Sequence, residues 1–192
     1  MTRRENDYYP TPPAAVDELL RELTPLRPGY VCDPAAGDGA LLRVALDAGL
    51  DVLGYEINGK LALDADMHID PERGGVILDD YLKVDRSVHP APALFLSNPP
   101  YSLAQEFITK MLLERGADTI VAVLLRLNFL GSQRRHSWWK ATGAPSALRV
   151  VSKRPSFTGN GKTDMTEYAW YIWDPPGRHL GLKPLDWYRG CE

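Results

Sequence analysis

Residues 30–56 read YVCDPAAGDGALLRVALDAGLDVLGYE, and this stretch decides the fold. Tyr30-Val-Cys-Asp33 is a short apolar run ending in an acid, as expected of a buried strand. A loop with Gly37 and Gly39 follows, then a helix from about Gly39 to Ala48, then a second strand, Asp51–Ile57. Strand, glycine loop, helix and strand in succession are the unit of a parallel α/β sheet.

The alternation continues in both directions. Upstream, Thr11 to Leu23 reads as a helix, with Thr11 as N-cap, Pro12 in the first turn, and Val16, Leu19, Leu20 and Leu23 at helical spacing. Downstream come a short helix from about Gly59, strands at Val76–Asp79 and Ala93–Ser97, and a helix over Ser102–Glu114. Leu103, Phe107 and Met111 are expected on the inner face of that helix. Thr119–Leu125 is continuously apolar, as in a strand covered on both faces. A helix is expected over Ser132–Thr142, and strands at Leu148–Ser152 and Glu167–Trp173. No helix separates these last two, so the final strand is expected to be antiparallel at the sheet edge. The reading is an α/β fold: a mostly parallel sheet of about seven strands with helices on both faces. The tail, with Leu180, Leu182, Leu185, Trp187 and Tyr188, is expected to pack back on the domain or on a partner copy.

A chain of 192 residues, 44% hydrophobic and 24% charged, builds one core, which excludes a disordered tail or a small disulfide scaffold. No apolar run approaches the ~20 residues of a membrane span, and the polar start lacks a signal-peptide core. With only Cys32 and Cys191, and Cys32 in a buried run, a reduced, cytoplasmic protein is expected. The net charge of −3 conceals an asymmetry. Residues 1–118 sum to −9, whereas residues 119–163 hold eight basic side chains and no acid. These are Arg126, Arg134, Arg135, Lys140, Arg149, Lys153, Arg154 and Lys162, a candidate surface for a polyanion.

Ligands of open α/β sheets bind at the carboxyl ends of the strands. The first strand ends in Asp33-Pro-Ala-Ala-Gly-Asp-Gly39, a loop that lets a ligand approach the backbone. Asp33 repels a pyrophosphate but suits a cation. Glu56 ends the second strand, where an acid accepts from both hydroxyls of a ribose. The third strand ends in Asp79-Asp80-Tyr81, where an acid can accept from an adenine amino group with Tyr81 or Leu82 against the ring. An adenosine ligand without phosphates fits this set, and S-adenosylmethionine adds an ammonium and a sulfonium that suit acidic neighbours. The fourth strand ends in Ser97-Asn98-Pro99-Pro100-Tyr101. Two prolines restrict the backbone. The Asn98 amide oxygen and the Pro99 carbonyl can then accept both hydrogens of one planar NH2 group, and Tyr101 offers a stacking face.

These motifs, spread over roughly Tyr8 to Trp173, resemble those of the class I S-adenosylmethionine-dependent amino-methyltransferases, which have a Rossmann-like fold. Within them the chain is similar to the N6-adenine DNA methyltransferases, particularly small phage and prophage enzymes. Tyr9-Pro-Thr-Pro-Pro13 resembles the motif that covers the cofactor. The resemblance implies that Tyr9, Thr11, Asp33, Ala35, Gly37, Gly39, Glu56, Ile57, Asp80, Tyr81 and Asn98 hold S-adenosylmethionine and its product S-adenosylhomocysteine. Asn98, Pro99, Pro100 and Tyr101 match the catalytic tetrapeptide, and Phe157, in Arg154-Pro-Ser-Phe157, lies where the family sets an aromatic residue against the target base. The expected partner is DNA, contacted by Tyr101, Phe157, Arg126, Arg134, Arg135, Lys140, Arg154 and Lys162. Of Trp138 and Trp139, at least one is expected in the core. No metal is expected, because His68, His89, His136 and His179 form no ligand spacing.

The chain departs from many family members in leaving no room for a target-recognition domain. A single methyltransferase domain is expected, with recognition through short loops or a partner copy in a homodimer. The same tetrapeptide chemistry leaves adenine in RNA, cytosine N4 in DNA and a protein glutamine amide as alternative substrates. A DNA-binding protein with a relic cofactor site is the non-enzymatic alternative. A dinucleotide oxidoreductase is disfavoured by Asp33 and the tetrapeptide.

Overall fold

The central strands alternate two sets of apolar side chains, and each set needs its own cover of helices. The computed structural model describes residue 11 and residues 13–152, 166–175 and 182–188. Its strands are β1 (Tyr30–Asp33), β2 (Asp51–Glu56), β3 (Gly74–Leu78), β4 (Leu94–Ser97), β5 (Ile120–Arg126), β6 (Ala147–Val151), β7 (Tyr168–Trp173) and β8 (Leu185–Tyr188). They form one sheet in the order β3-β2-β1-β4-β5-β7-β6-β8. Neighbours from β3 to β5 are parallel, β7 runs antiparallel to both β5 and β6, and β8 is parallel to β6. The helices are α1 (Pro13–Leu23), α2 (Ala40–Asp47), α3 (Gly59–Asp66), α4 (Ala104–Glu114) and α5 (His136–Thr142).

The central strands feed both layers of the core. Leu94 and Leu96 of β4 and Ile120, Ala122 and Leu124 of β5 pack with Leu19, Leu23, Leu42 and Ala45 of α1 and α2. Phe95, Val121, Val123 and Leu125 face the other way, onto Phe107, Ile108 and Met111 of α4. This is the mostly parallel α/β sheet, covered on both faces, that the alternation implies. Cys32 is a buried free thiol, and burial pushes it up to about 12.

Five details differ from the sequence reading. The antiparallel strand β7 is not at the edge but lies between β5 and β6. All six of its residues are buried, and large aromatic side chains on both faces need neighbours on both sides. The edge is an eighth strand, β8, from the tail. It is anchored by Arg149 of β6, whose side chain is 1% exposed and whose Nη2 lies 2.5 Å from Glu22 Oε1 of α1. The Tyr188 hydroxyl donates to the same carboxylate. Arg149 is therefore a buried strut, not part of a basic surface. The helix expected over Ser132–Thr142 begins only at His136. A 3-10 turn, Gln133–Arg135, precedes it, and Arg135 Nε donates to the Phe129 carbonyl at 2.9 Å. Leu103 is 40% exposed and lies just before α4, whose inner face is Ala104, Phe107, Ile108 and Met111.

Arg86 is a second buried cation. Its guanidinium donates to Tyr30 Oη at 2.6 Å, to Tyr55 Oη at 3.1 Å and to Cys32 Sγ at 3.3 Å, and lies 3.5 Å from Glu114. A buried charge persists only when paired and hydrogen-bonded, as here. Among the described residues no helix is long and apolar enough to cross a membrane.

Candidate functional site

Because β1 to β4 run in one direction, Asp33, Glu56, Asp79 and Asn98 emerge on the same edge of the sheet. β1 pairs with β2 on one side and β4 on the other, and α2 and α4, which follow β1 and β4, cover opposite faces. The loops after β1 and β4 diverge there, which is the usual place for a ligand crevice.

The loop after β1 is held by acids on both sides. Gly37 and Gly39 have φ of 56° and 79°, the left-handed region that favours glycine. A Cβ on Gly39 would also lie 3.0 Å from that of Ala65. The Gly37 N–H donates to Glu56 Oε2 and the Asn58 N–H to Oε1, both at 2.8 Å, so Glu56 links the ends of β1 and β2. Ile57 is 60% exposed beside it, and Leu78, the partner of Glu56 in the β2–β3 pairing, is exposed too.

Asp33 is 1% exposed. Its Oδ1 accepts from the Ala35 N–H at 3.0 Å and the Ser97 hydroxyl at 2.8 Å, while Oδ2 has no hydrogen-bond partner among the described residues. Burial pushes this carboxyl up to about 7, against the hydrogen bonds from Ala35 and Ser97, and Glu56 and Asp38 add to the rise. A buried carboxylate with one orphaned oxygen, acidic neighbours and a glycine loop suits a ligand bearing positive charge.

The Ser97–Asp33 hydrogen bond ties this loop to the tetrapeptide. Asn98 is half-buried, Pro99 buried, and Pro100 and Tyr101 half-buried. The Pro100 carbonyl accepts from the Leu103 N–H at 2.9 Å in the turn leading into α4. Asn98 Nδ2 donates to Thr11 Oγ1 at 2.9 Å. Thr11 lies two residues before α1, so the helix start falls just after the expected cap. Tyr101 packs against Tyr168 at 6.0 Å, and the Arg126 guanidinium lies over its ring at 5.0 Å. A base stacking on that face would displace the guanidinium.

Tyr101, Leu125, Arg126, Asn128, Phe129 and Arg135 line a pocket of about 140 Å³ beside the tetrapeptide. Arg135 lies over the Phe129 ring at 4.4 Å, whereas Arg134 and Lys140 are exposed. Trp138 and Trp139 are half-buried on the same side. Trp139 stacks on Tyr171 and Trp173, and Trp138 Nε1 donates to Thr109.

The structure thus brings Thr11, Asp33, Ala35, Gly37, Gly39, Glu56, Ile57 and Asn98–Tyr101 to one edge. Tyr81 does not fit its expected part: its ring is buried among Tyr55, Phe95 and Phe107, and its hydroxyl donates to Glu114 at 2.8 Å. A core aromatic of this kind presents no face to a ligand. Asp80 accepts from the Leu82 N–H at 3.1 Å and pairs with Lys83 at 2.9 Å. Tyr9, Arg154, Phe157 and Lys162 lie outside the described residues. Ser97 and Asn128 were not singled out from the sequence. Position next to Asn98 was the only signal for Ser97, and nothing in the sequence marks Asn128.

No family model matches the sequence, and no curated protein matches it. Solved structures do. A candidate class I S-adenosylmethionine-dependent methyltransferase from Listeria monocytogenes superposes with a TM-score of 0.69 at 15% identity, over 92% of this chain and 65% of that one. The modification subunit of a candidate type I restriction enzyme from Vibrio vulnificus gives 0.70 at 16% identity, over 94% and 46%. A candidate RNA methyltransferase from Pyrococcus horikoshii gives 0.69 at 16% identity, over 88% and 87%. The chain spans just under two thirds of the Listeria protein and less than half of the Vibrio subunit. The sheet order, the crevice between β1 and β4 and these likenesses agree: the chain has the fold of the class I S-adenosylmethionine-dependent methyltransferases.

Proposed function

We propose that the protein transfers a methyl group from S-adenosylmethionine to the N6 amino group of adenine in DNA. The observation that carries this reading is the Asn98-Pro99-Pro100-Tyr101 segment, which is hydrogen-bonded through Ser97 to the acidic cofactor-type loop at Asp33. An amide and a prolyl carbonyl beside an aromatic ring suit a planar NH2 group. Asp33, Ala35, Gly37, Gly39, Glu56 and Ile57 would hold the cofactor. When bound there, it supplies a methyl group on a sulfonium: the N–C bond forms as the C–S bond breaks, leaving a neutral thioether.

The chain's own residues do the rest. The target base leaves its stack and lies against Tyr101, with Phe157 as the second aromatic wall. Asn98 Oδ1 and the Pro99 carbonyl accept the two N–H hydrogens. This draws electron density onto a nitrogen whose lone pair is otherwise delocalised into the ring. The methylated nitrogen loses one proton to solvent. Catalysis is positioning and electrostatics, with no covalent enzyme intermediate. Arg126, Arg134, Arg135, Lys140, Arg154 and Lys162 contact phosphates, which set register but not sequence. Recognition comes from short loops or from a second copy.

The test is methyl transfer from labelled S-adenosylmethionine to unmethylated DNA, with RNA and total protein in parallel, followed by mass spectrometry of the hydrolysed products. N6-methyladenine in DNA is the expected result. Label in RNA, as N4-methylcytosine, or on protein glutamine would move the substrate. No label anywhere, with cofactor binding intact, would leave a relic.

A further inference from the structure

Resemblance assigned Thr11 to the cofactor, and helix-start rules assigned it to capping α1. Its hydroxyl meets Asn98, 87 positions away in sequence. Thr11 is 5% exposed, and its Oγ1 accepts from Asn98 Nδ2 at 2.9 Å. We propose that Thr11 is a positioning residue for Asn98, holding the carboxamide in the orientation that turns its oxygen toward the substrate amino group. The inference rests on the amino-methylation reading of Asn98.

The physical reason is the asymmetry of an amide. One side donates two hydrogens and the other accepts, and a half-turn about the last side-chain bond exchanges them. A substrate NH2 is matched by the oxygen side and opposed by the donor side. With Nδ2 held toward Thr11, Oδ1 is on the opposite side of the carboxamide. Thr11 is buried, so water does not replace its hydroxyl easily. Without it, Nδ2 in the productive orientation loses its 2.9 Å hydrogen bond to Thr11, and a lost partner at a part-buried donor is costly. The amide is then held less firmly in that orientation. The Ser97–Asp33 hydrogen bond holds the backbone one residue away, and the Thr11 hydroxyl acts on the side-chain turn.

The experiment compares Thr11→Val, which keeps the shape and removes the hydroxyl, with Thr11→Ser, which keeps the hydroxyl. Each is made in the full chain, alone and combined with Asn98→Asp, whose carboxylate has no donor side to misplace. Thr11→Val should lower kcat about tenfold or more and leave the KM for S-adenosylmethionine within about twofold. Thr11→Ser should restore kcat. In the Asn98→Asp background, Thr11→Val should cost less than about twofold. Independently of activity, the side-chain amide resonances of Asn98 in nitrogen-15-labelled protein should move in Thr11→Val and return in Thr11→Ser. Should Thr11→Val not fold, Thr11→Ala makes the same comparison.

A raised cofactor KM with unchanged kcat would make Thr11 a cofactor contact and overturn the proposal. An equal loss of kcat in both backgrounds, or unmoved Asn98 resonances, would overturn it as well. Failure of the wild-type protein to methylate any substrate, with the resonances responding to Thr11, would instead be a failure of the functional reading.

Discussion

Replacing Asp33 by asparagine should change how stability depends on pH. The carboxyl has an ordinary value of 3.8 and is pushed by burial to about 7 in the folded protein. Between those values the folded protein keeps a proton that the unfolded chain has released. Stability is fully present below the unfolded value and is lost as pH rises through the folded one. At about 1.4 kcal/mol per pH unit, the gap is worth about 4 kcal/mol. Asp33→Asn has nothing to titrate there. Its amide oxygen can still accept from Ala35 and Ser97, and the orphaned Oδ2 position becomes an NH2, which adds a constant offset. Urea unfolding of both proteins without cofactor, between about pH 4 and 8, isolates the slope because the other titrating groups cancel. The variant should gain on the wild type as pH rises from about 4 to 7, by about 4 kcal/mol in all, and the difference should then level off. In melting temperature this is about 8–16 °C for a chain of this size. A difference that stays constant across the range would refute the reasoning, because Asp33 would then be ionised in the fold. A cationic cofactor should also expel the proton. Binding of S-adenosylmethionine near pH 7 should release part of a proton in the wild type and none in Asp33→Asn, read as a buffer-dependent binding enthalpy.

In the proposed mechanism Asn98→Ala removes an acceptor used in the transition state, so it should abolish methyl transfer and leave cofactor affinity within about twofold, by calorimetry. Arg149→Met strands Glu22, whose carboxyl burial tends to raise but which the hydrogen bonds from Arg149 and Tyr188 hold below its usual range. It should cost about 3 kcal/mol in urea unfolding, at the low end for a broken buried pair because Glu22 is partly exposed. At Gly54 an added Cβ would meet Leu42 at 2.8 Å, Ala36 at 2.9 Å and Val76 at 3.0 Å. Gly54→Val should therefore cost about 1–3 kcal/mol or more and loosen the Asp33 loop, lowering both melting temperature and cofactor affinity. Arg134 and Lys140 are exposed, so the double alanine variant should weaken DNA binding without altering stability. The slope of log K against log salt should become shallower by about two for double-stranded DNA.

The placement of the candidate site residues was readable where they sit at strand ends. Asp33, Glu56 and Asn98 each close an apolar run, and parallel strands that alternate with helices bring those ends to one edge. Tyr81 was misread because its place after Asp79-Asp80 fixes where the backbone lies but not which way the ring turns. The hydrophobic layer over β1 and β4 took the ring. Arg149 was misread for a related reason. A stretch without acids looks like a basic surface, but the acid that pairs with Arg149 lies in α1, 127 positions away.

The sequence by itself determined the local elements from β1 through β7, the parallel character of the sheet and the tetrapeptide with its acidic companions. These follow from periodicity, turn residues and short motifs, which act over a few positions. Only the tertiary structure decided that β7 is internal, that β8 forms the edge, that Thr11 reaches Asn98 and that the Asp33 carboxyl is buried with one oxygen unmatched. Strand order, side-chain direction and burial depend on contacts between residues far apart in the chain. Such pairings compete across the whole molecule, and no local pattern records which of them wins.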